Sequence, residues 1–345
     1  MQKVRANIHL KSIRQNAAAF KKHAGVKLCA VVKANAYGHG AEEVALSLSG
    51  VADCFAVALI EEGLSLRGAA LDKDVLVFTP PTDEAQAYAL VSGGLVGSVG
   101  DLRTAKLFLR VCEKYRLQAR VHLKVNTGMN RYGMDLATLG KTCKLLQNTP
   151  VRVEGVYSHL YSPSSAETQR QRFLRAQAVC RKYYARLTYH LSATFGALLG
   201  EEYAFDMVRV GIGLYGYLPD GCQGFVKKLD LKKGMTVYAL TVKKRVYRGG
   251  GAGYGNEIDL RNGEDFSLLR VGYADGFLRR KNNGITGENV NALCMDVCFQ
   301  RGRKKEGDWA CVLDDAETVA KETGTIAYEV LCAATARAEF VYEYD

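Results

Sequence analysis

Between residues 27 and 215, short apolar runs alternate regularly with amphipathic segments, and this alternation limits the possible folds most strongly. Apolar runs of about four to eight residues, rich in β-branched side chains, are typical of buried strands, whereas helical periodicity is typical of amphipathic helices. The predicted strands lie at 28–33, 54–59, 75–78, 95–99, 119–125, 151–159, 187–191 and 207–215. The predicted helices lie at 41–49, 61–69, 82–92, 101–115, 134–147 and 166–186, with a shorter one near Thr194. Because parallel neighbours need a crossover of about a dozen residues, the pattern predicts an α/β barrel of the (β/α)8, TIM-like kind.

The pattern changes after Pro219, where helical periodicity gives way to short alternating runs separated by glycine-rich turns. Strand-like runs lie at 236–247, 266–271, 310–313 and 328–332, and two helical segments are suggested, at 256–261 and 315–322. Alternation with a period of two is typical of strands with one buried face. The sequence therefore predicts a barrel domain at 1–225 followed by a smaller, mainly β C-terminal domain at 226–345. The first residues of the chain could pair with that C-terminal domain.

The composition excludes several classes of protein. The chain is 48% hydrophobic and 24% charged, as in ordinary globular proteins. No apolar run reaches the length of a membrane span, and the N-terminus lacks the apolar core of a signal peptide, so we expect a cytoplasmic protein without a membrane partner. The ten cysteines include no CxxC pair, and Cys294 and Cys298 have no matching pair or nearby histidine, so no metal site is predicted.

The net charge of +11 comes with basic clusters in the C-terminal third, at 227–233, 242–248, 278–281 and 301–305. A nucleic-acid-binding surface would have aromatic side chains interleaved with these charges, or a recognisable binding module. The sequence contains neither, so the clusters are interpreted as a solvated basic face. No nucleic-acid partner is predicted.

Charged and polar residues follow the predicted barrel strands at the ends where barrel enzymes carry their active sites. Lys33 ends the first strand, in the run VVKANAYGHG. A lysine at a strand end usually reaches for solvent, but a desolvated lysine has a lowered pKa and can form a Schiff base. The other residues at the same rim are Lys124, Arg131, His159, Thr194 and Arg209. Their convergence favours a catalytic role for Lys33.

These motifs resemble those of the alanine racemase family, the barrel-type enzymes that depend on pyridoxal 5'-phosphate. The segment VVKANAYGHG is nearly diagnostic of that family, and KVNTGMNRYG, VYSHL, VRVGIGLYG, GAGYGNE, VGYADGF and LCMD follow in the family's order and spacing. The resemblance covers nearly the whole chain. It implies a small amino-acid substrate, with alanine first, and a two-base racemisation.

The resemblance also implies the catalytic residues. Lys33 would be the Schiff-base lysine and the base on one face of the substrate's α-carbon, and Tyr254 of the partner subunit would be the base on the other face. The active sites would therefore lie at the interface of a homodimer. His159 would lie beside that phenol, with Arg209 behind the histidine and against the pyridine nitrogen. An arginine donates a hydrogen bond but keeps its proton, so the ring nitrogen stays neutral and rapid reprotonation favours racemisation.

The remaining implied roles concern the phosphate and the substrate carboxylate. The phosphate would be held by Tyr37, Thr194 and the amides of Gly211 and Ile212, with a helix start at Thr194 favouring an anion. The substrate carboxylate would meet Arg131 and, from the partner subunit, the amide of Met295 with Asp296 close by. Lys124 matches a lysine that some members carry as a carbamate orienting Arg131. The alternative is an unmodified lysine packed against local carboxylates.

The chain departs from the family pattern at three positions. Ala193-Thr194 replaces an asparagine-serine pair, and Asn126 replaces an aspartate. Ala336 stands where the family usually has a tyrosine that touches the phosphate and walls the substrate pocket. The smaller side chain leaves a serine or serine/alanine racemase as the alternative function. A decarboxylase of the same fold would place a glutamate at the pyridine nitrogen, and a non-catalytic cofactor-binding relative would lack the β domain and its tyrosine.

Overall fold

A computed structural model describes residues 4–219, 221–222, 224–250, 260–279, 294–302 and 304–345. The chain divides into two compact units. The larger unit comprises Arg14–Ala34 and Ala41–Leu231. The smaller unit comprises Met1–Ile13, Asn35–Gly40 and Lys232–Asp345. No helix in the described part of the chain is long and apolar enough to cross a membrane.

The described chain begins with strand β1 (Val4–His9), which belongs to the smaller unit and runs directly into helix α1 (Leu10–Ala24). Side chains of β1 alternate between buried and half-buried, as in a strand that covers one face of a core. The sequence analysis assigned no element to this segment. The strand is short, and the residues with which it pairs lie more than 200 positions away in sequence, so local periodicity does not reveal it.

The larger unit is an eight-stranded parallel sheet curled into a nearly closed barrel, so the predicted fold class is confirmed. The strands are β2 (Lys27–Val31), β3 (Cys54–Val57), β4 (Val75–Val77), β5 (Val96–Val99), β6 (Ala119–Lys124), β7 (Val151–Tyr157), β8 (Thr188–His190) and β9 (Met207–Val210). Their order around the barrel is β8-β7-β6-β5-β4-β3-β2-β9. The N–H of Asp206 donates to the carbonyl of Tyr189 at 3.0 Å and connects the two ends of this order.

Helices follow the strands of this barrel. They are α3 (Ala41–Leu48), α4 (Ile60–Gly68), α5 (Glu84–Ser92), α6 (Leu102–Tyr115), α7 (Leu136–Leu146), α8 (Ala166–Cys180), α9 (Glu201–Ala204) and α10 (Gly224–Lys228), and one turn between β2 and α3 is named α2 (Lys33–Gly38). Three of these helices begin after an aspartate, Asp83, Asp101 or Asp135, whose carboxylate accepts an N–H of the first turn. Such caps explain why the helices begin at these residues.

The smaller unit contains a six-stranded sheet. Besides β1, its strands are β10 (Met235–Val246), β11 (Asp265–Leu269), β12 (Cys298–Arg301), β13 (Trp309–Leu313) and β14 (Glu339–Glu343). Strand β1 lies between β10, to which it is antiparallel, and β14, to which it is parallel. The sheet agrees with the predicted mainly β domain.

The described part of the smaller unit includes helices α11 (Ala316–Thr323) and α12 (Ala327–Ala334). The first confirms the helix suggested at 315–322. The second shows that the strand predicted at 328–332 was wrong, because the buried residues Val330, Leu331 and Ala334 have helical spacing. Most of the segment suggested as a helix at 256–261 lies outside the described residues.

Candidate active site

Lys33 lies two residues beyond the end of β2, so the observed strand ends earlier than the predicted one. The turn that it begins is left-handed: φ is 52° at Ala34, 52° at Asn35, 54° at Ala36 and 53° at Tyr37. Left-handed conformation costs an L-residue about 1–2 kcal/mol. Four such residues in succession therefore require hydrogen bonds and packing that hold them in place.

The second half of this turn is held by a buried histidine. His39 is 0% exposed, and its Nδ1 lies 3.0 Å from the carbonyl oxygens of both Ala36 and Tyr37. A carbonyl can only accept, so Nδ1 carries the hydrogen. Burial lowers the pKa of His39 to about 4 and keeps the ring neutral. The expected phosphate ligand Tyr37 is buried, and its ring packs 5.9 Å from that of Tyr328, within the smaller unit.

Arg209 is held in the barrel interior by neutral acceptors. It lies in β9 and is 3% exposed. Nη1 donates to Nδ1 of His190 at 3.0 Å and to the His190 carbonyl at 2.8 Å, while Nη2 donates to the carbonyls of Ser158 at 2.6 Å and Leu191 at 3.1 Å. Burial lowers the pKa of Arg209 to about 10, so the guanidinium remains charged at neutral pH.

The contact with Arg209 determines the tautomers of two histidines. A guanidinium can only donate, so Nδ1 of His190 accepts and its neutral ring carries the hydrogen on Nε2. That nitrogen lies 2.8 Å from Nδ1 of His122, to which it donates. Burial, with the charge of Arg209 second, lowers the pKa of His190 well below its ordinary value. Burial lowers the pKa of His122 to about 4.

The ring of Tyr157 lies between His190, Lys124 and Arg209. It stacks on His190 with ring centroids 5.1 Å apart. The Lys124 Nζ lies 4.3 Å from its centroid, and the Arg209 guanidinium carbon lies 5.4 Å from it. Since the face of an aromatic ring attracts cations, Tyr157 supplies negative potential between Lys124 and Arg209. The Tyr157 hydroxyl lies 2.6 Å from Ser98 Oγ, which itself bonds to the Val77 carbonyl.

A cavity opens at the carboxyl end of β6 and β7. Its lining includes Lys124, Asn126, Arg131, Ser158 and His159. Asn126 Oδ1 accepts the N–H groups of Gly128 at 3.0 Å and Asn130 at 3.1 Å, which shapes the loop that carries Arg131. An aspartate there would offer the same acceptor, so the departure at Asn126 preserves the loop.

The charges around this cavity are positive. Burial lowers the pKa of Lys124 well below its ordinary value, and the neighbouring Arg209 and Arg131 lower it further. Burial also lowers the pKa of His159 well below its ordinary value. Four nearby basic side chains lower it further, in the order Arg209, Lys124, Arg131 and Lys33. His159 is therefore neutral at physiological pH. The guanidinium groups of Arg131 and Arg209 favour anionic ligands at this cavity.

A second anion-binding arrangement lies after β8 and β9. Thr194 is 4% exposed, and its Oγ1 accepts the N–H groups of Gly211 at 3.1 Å and Gly213 at 3.4 Å. Its own hydroxyl hydrogen can then donate to a ligand. A Cβ on Gly213 would lie 2.5 Å from the Phe20 ring, so only glycine fits there. Ile212 begins a 3-10 helix directly after Gly211, and the N–H groups at a helix start favour an anion.

The other predicted residues lie in the smaller unit or outside the described chain. Met295 and Asp296 are both exposed, and the carbonyl of Met295 accepts the N–H of Ala274 at 2.9 Å. Ala336 is exposed and follows α12. Tyr254 lies outside the described residues.

The sequence analysis missed several residues that organise the site, namely His190, Tyr157 and Gln169. Gln169 is 1% exposed and connects the loops after β6 and β7, because its Nε2 donates to Thr127 Oγ1 at 3.0 Å and to the His159 carbonyl at 2.8 Å. The signal in the sequence was a glutamine at an apolar-face position of an otherwise amphipathic helix. Its partners could not be read from periodicity.

Comparison with known proteins identifies the family of the chain. Residues 8–219 match the family described as alanine racemase, N-terminal domain, and residues 235–342 match alanine racemase, C-terminal domain. The alanine racemase of Lactobacillus delbrueckii subsp. bulgaricus is 33% identical, over 98% of this chain and 97% of its own length. That of Synechocystis sp. is 31% identical, over 96% of each chain.

Solved structures of alanine racemases are also similar to this chain. An alanine racemase from Clostridium difficile has a TM-score of 0.91 and 28% identity, covering 99% of this chain and 96% of its own. An alanine racemase from Bartonella henselae with covalently bound pyridoxal phosphate has a TM-score of 0.85 and 25% identity, covering 99% of this chain and 100% of its own.

These matches do not favour the alternatives left open by the sequence. The relatives are named as alanine racemases, which argues against serine as the main substrate and against a decarboxylase. Matches to both domains argue against a small cofactor-binding relative that lacks the second domain. The chain belongs to the alanine racemase family, whose members are amino-acid racemases.

Proposed function

We propose that this protein interconverts L- and D-alanine by a two-base mechanism, with Lys33 of one subunit and Tyr254 of the partner subunit as the bases. The observation that carries the proposal is the cluster of basic side chains, Lys33, Lys124, Arg131 and Arg209, around the neutral His159. Such a site fits an anionic cofactor together with the carboxylate of an amino acid.

The residues present fit pyridoxal 5'-phosphate, which the Bartonella henselae relative carries covalently. Lys33 would bind it covalently, and Tyr37, Thr194 and the amides of Gly211 and Ile212 would hold its phosphate. The Thr194 hydroxyl supports this, because it accepts two N–H groups and keeps its hydrogen for a phosphate oxygen. When bound, the cofactor withdraws electrons from the substrate's α-carbon and acidifies its hydrogen.

Arg209 would face the pyridine nitrogen of the cofactor. It is held by His190 and three backbone carbonyls and stays charged at neutral pH. Because it donates a hydrogen bond without releasing a proton, it limits electron withdrawal into the ring. Prompt return of the proton to the α-carbon is then favoured over side reactions.

The two bases would act on opposite faces of the α-carbon. Lys33 Nζ removes or returns the proton on one face. On the other face, Tyr254 of the partner subunit removes the proton as the phenolate and returns it as the hydroxyl. His159 would accept a hydrogen bond from that hydroxyl and so assist its deprotonation. The low pKa of His159 supports this role, because only a neutral imidazole can accept.

The substrate carboxylate would bind Arg131, assisted by the amide of Met295 of the partner subunit, with Asp296 of the partner subunit close by. We also propose that Lys124 carries a carbamate that orients Arg131. Its amine loses its charge easily, because burial and two neighbouring arginines lower its pKa. A neutral amine can attack carbon dioxide, forming an N–C bond and losing a proton. The resulting anion would be compensated by Arg131.

This arrangement requires a homodimer. Residues 1–225 would form the cofactor-binding domain, and residues 226–345 would supply Tyr254 to the partner's site. Assembly of a site from two chains makes activity depend on dimerisation.

The purified protein should racemise L-alanine in a chirality assay, with L-serine as the comparison substrate. It should also absorb in the visible, and borohydride should abolish that absorbance. Lys33→Ala should lose both the absorbance and racemisation, whereas Lys27→Ala, at an exposed lysine of the same strand segment, should keep both. An unchanged spectrum in Lys33→Ala would contradict the role of Lys33.

A further inference from the structure

The carboxylate of Glu62 connects the turn after Lys33 to the start of a neighbouring helix. Glu62 is the third residue of α4, and its Oε2 accepts the N–H groups of Ala58 at 2.8 Å and Leu59 at 2.9 Å. Its other oxygen, Oε1, accepts the N–H of Ala34 at 2.6 Å. The first two contacts are those of a helix cap, but the third reaches a residue 28 positions away in sequence.

Ala34 is the first left-handed residue of the turn, directly after Lys33. A residue other than glycine prefers right-handed or extended backbone, and either change at Ala34 would reorient the peptide that joins it to Lys33. The bond to Glu62 fixes the direction of that N–H. Ala34 itself is exposed, so packing of its side chain does not explain its conformation.

We propose that Glu62 is a positioning residue for Lys33, which it acts on by holding the Ala34 N–H in the left-handed turn. The proposal rests on the proposed function, in which Lys33 moves a proton at the substrate's α-carbon. Proton transfer depends on the position of the base to within a fraction of an ångström. A turn that relaxes would move Lys33 Nζ while leaving Arg131, which binds the carboxylate, in place.

The substitution Glu62→Gln separates this role from helix capping. A glutamine has one accepting oxygen and one donating amide nitrogen. With its oxygen on the two N–H groups of Ala58 and Leu59, the cap is kept, and its nitrogen then faces the Ala34 N–H, donor against donor. Glu61→Gln is the matched control, because Glu61 is an exposed carboxylate on the same helix turn.

The experiment measures kcat and KM for alanine together with backbone hydrogen exchange of the 33–38 segment, in the holoenzyme and after cofactor removal. We expect Glu62→Gln to lower kcat by about 10- to 100-fold, with KM changed less than about threefold. Exchange in the 33–38 segment should become faster with and without cofactor. Peptides from β6 should be unchanged, which excludes general unfolding, and Glu61→Gln should match the unsubstituted protein in every measurement.

Unchanged exchange in the 33–38 segment together with unchanged kcat in Glu62→Gln would overturn the proposal. Faster exchange with unchanged kcat would also overturn it, because the turn would then be loosened without consequence for Lys33. Failure of the proposed function is distinguishable, because the unsubstituted protein itself would then show no racemisation.

Discussion

At the scale of single residues, the active site contains ionisable groups whose charge states depend on burial. Lys124 is 9% exposed, and the charged groups that shift its pKa are both arginines. A close contact with the ring of Tyr157, at 4.3 Å from Nζ, compensates part of this repulsion. Desolvation and repulsion both favour the neutral amine, which is the form that reacts with carbon dioxide.

We therefore expect Lys124→Ala to raise KM for alanine by about tenfold or more, since Arg131 would lose the group that orients it. After incubation with ¹³C-bicarbonate, the unsubstituted protein should show a carbamate resonance by NMR that Lys124→Ala lacks. The exposed Lys141, on α7, is a suitable control position for Lys141→Ala. Identical spectra for the unsubstituted protein and Lys124→Ala would show that Lys124 is unmodified.

At the scale of elements, the proposed phosphate site lies after strands β8 and β9 and depends on one side chain. Thr194 Oγ1 accepts two N–H groups from the segment after β9 and so joins two consecutive strand ends. The close packing of Gly213 against Phe20 and Thr194 keeps this segment in place. The site is therefore a property of two adjoining loops.

The substitution Thr194→Val keeps the shape of this residue and removes its hydroxyl. A hydrogen bond to a charged group contributes about 1.5–3 kcal/mol, so we expect cofactor affinity to fall by about 10- to 100-fold. Thr194→Ser keeps the hydroxyl and is the control, with affinity close to that of the unsubstituted protein. Equilibrium dialysis of the cofactor measures both. Equal affinity of the valine and serine variants would exclude a phosphate contact.

At the scale of the whole molecule, two neutral histidines, the buried His39 and the half-buried His122, connect stability to pH. The pKa is lowered to about 4 for both His39 and His122, mainly by burial. In the unfolded chain a histidine has a pKa of about 6.5. Between these values the unfolded state binds more protons than the folded state, so stability falls as the pH decreases.

We expect the free energy of unfolding to decrease as the pH is lowered from about 6.5 to about 4, by at most about 1.4 kcal/mol per pH unit for each such histidine. His122→Gln should make this decrease less steep, because it removes one titrating group. Urea unfolding at several pH values measures the slope. A slope that is the same with and without His122 would mean that this ring is already protonated in the folded protein.

The second prediction for the whole molecule concerns assembly. Sedimentation should give about twice the chain mass of 37.8 kDa. Mixing inactive Lys33→Ala subunits with inactive Tyr254→Phe subunits should restore activity, because a mixed dimer contains one intact site. Subunit exchange is confirmed with two distinguishable tags. If activity stays absent after confirmed exchange, both residues act within the same chain.

The sequence alone predicts the barrel, the mainly β character of the C-terminal part and the rim residues from Lys33 to Arg209. Strand and helix periodicity record which side of an element is buried, and barrel topology brings strand ends together. Boundaries were less accurate, as β2 ends at Val31, and α12 was predicted as a strand because a short apolar run fits either element.

The contacts between polar groups, in contrast, are seen only in the tertiary structure. The contact between His122 and His190 joins residues 68 positions apart, and that between Ala34 and Glu62 joins residues 28 positions apart. In the left-handed turn after Lys33, Ala34, Ala36 and Tyr37 likewise have no local preference for that conformation, unlike Asn35. Periodicity arises from neighbours along the chain, whereas these contacts depend on distances across the folded barrel. For that reason Lys33 could be proposed as the catalytic lysine from its motif, but the contacts of the turn after it and of Arg209 could not be predicted.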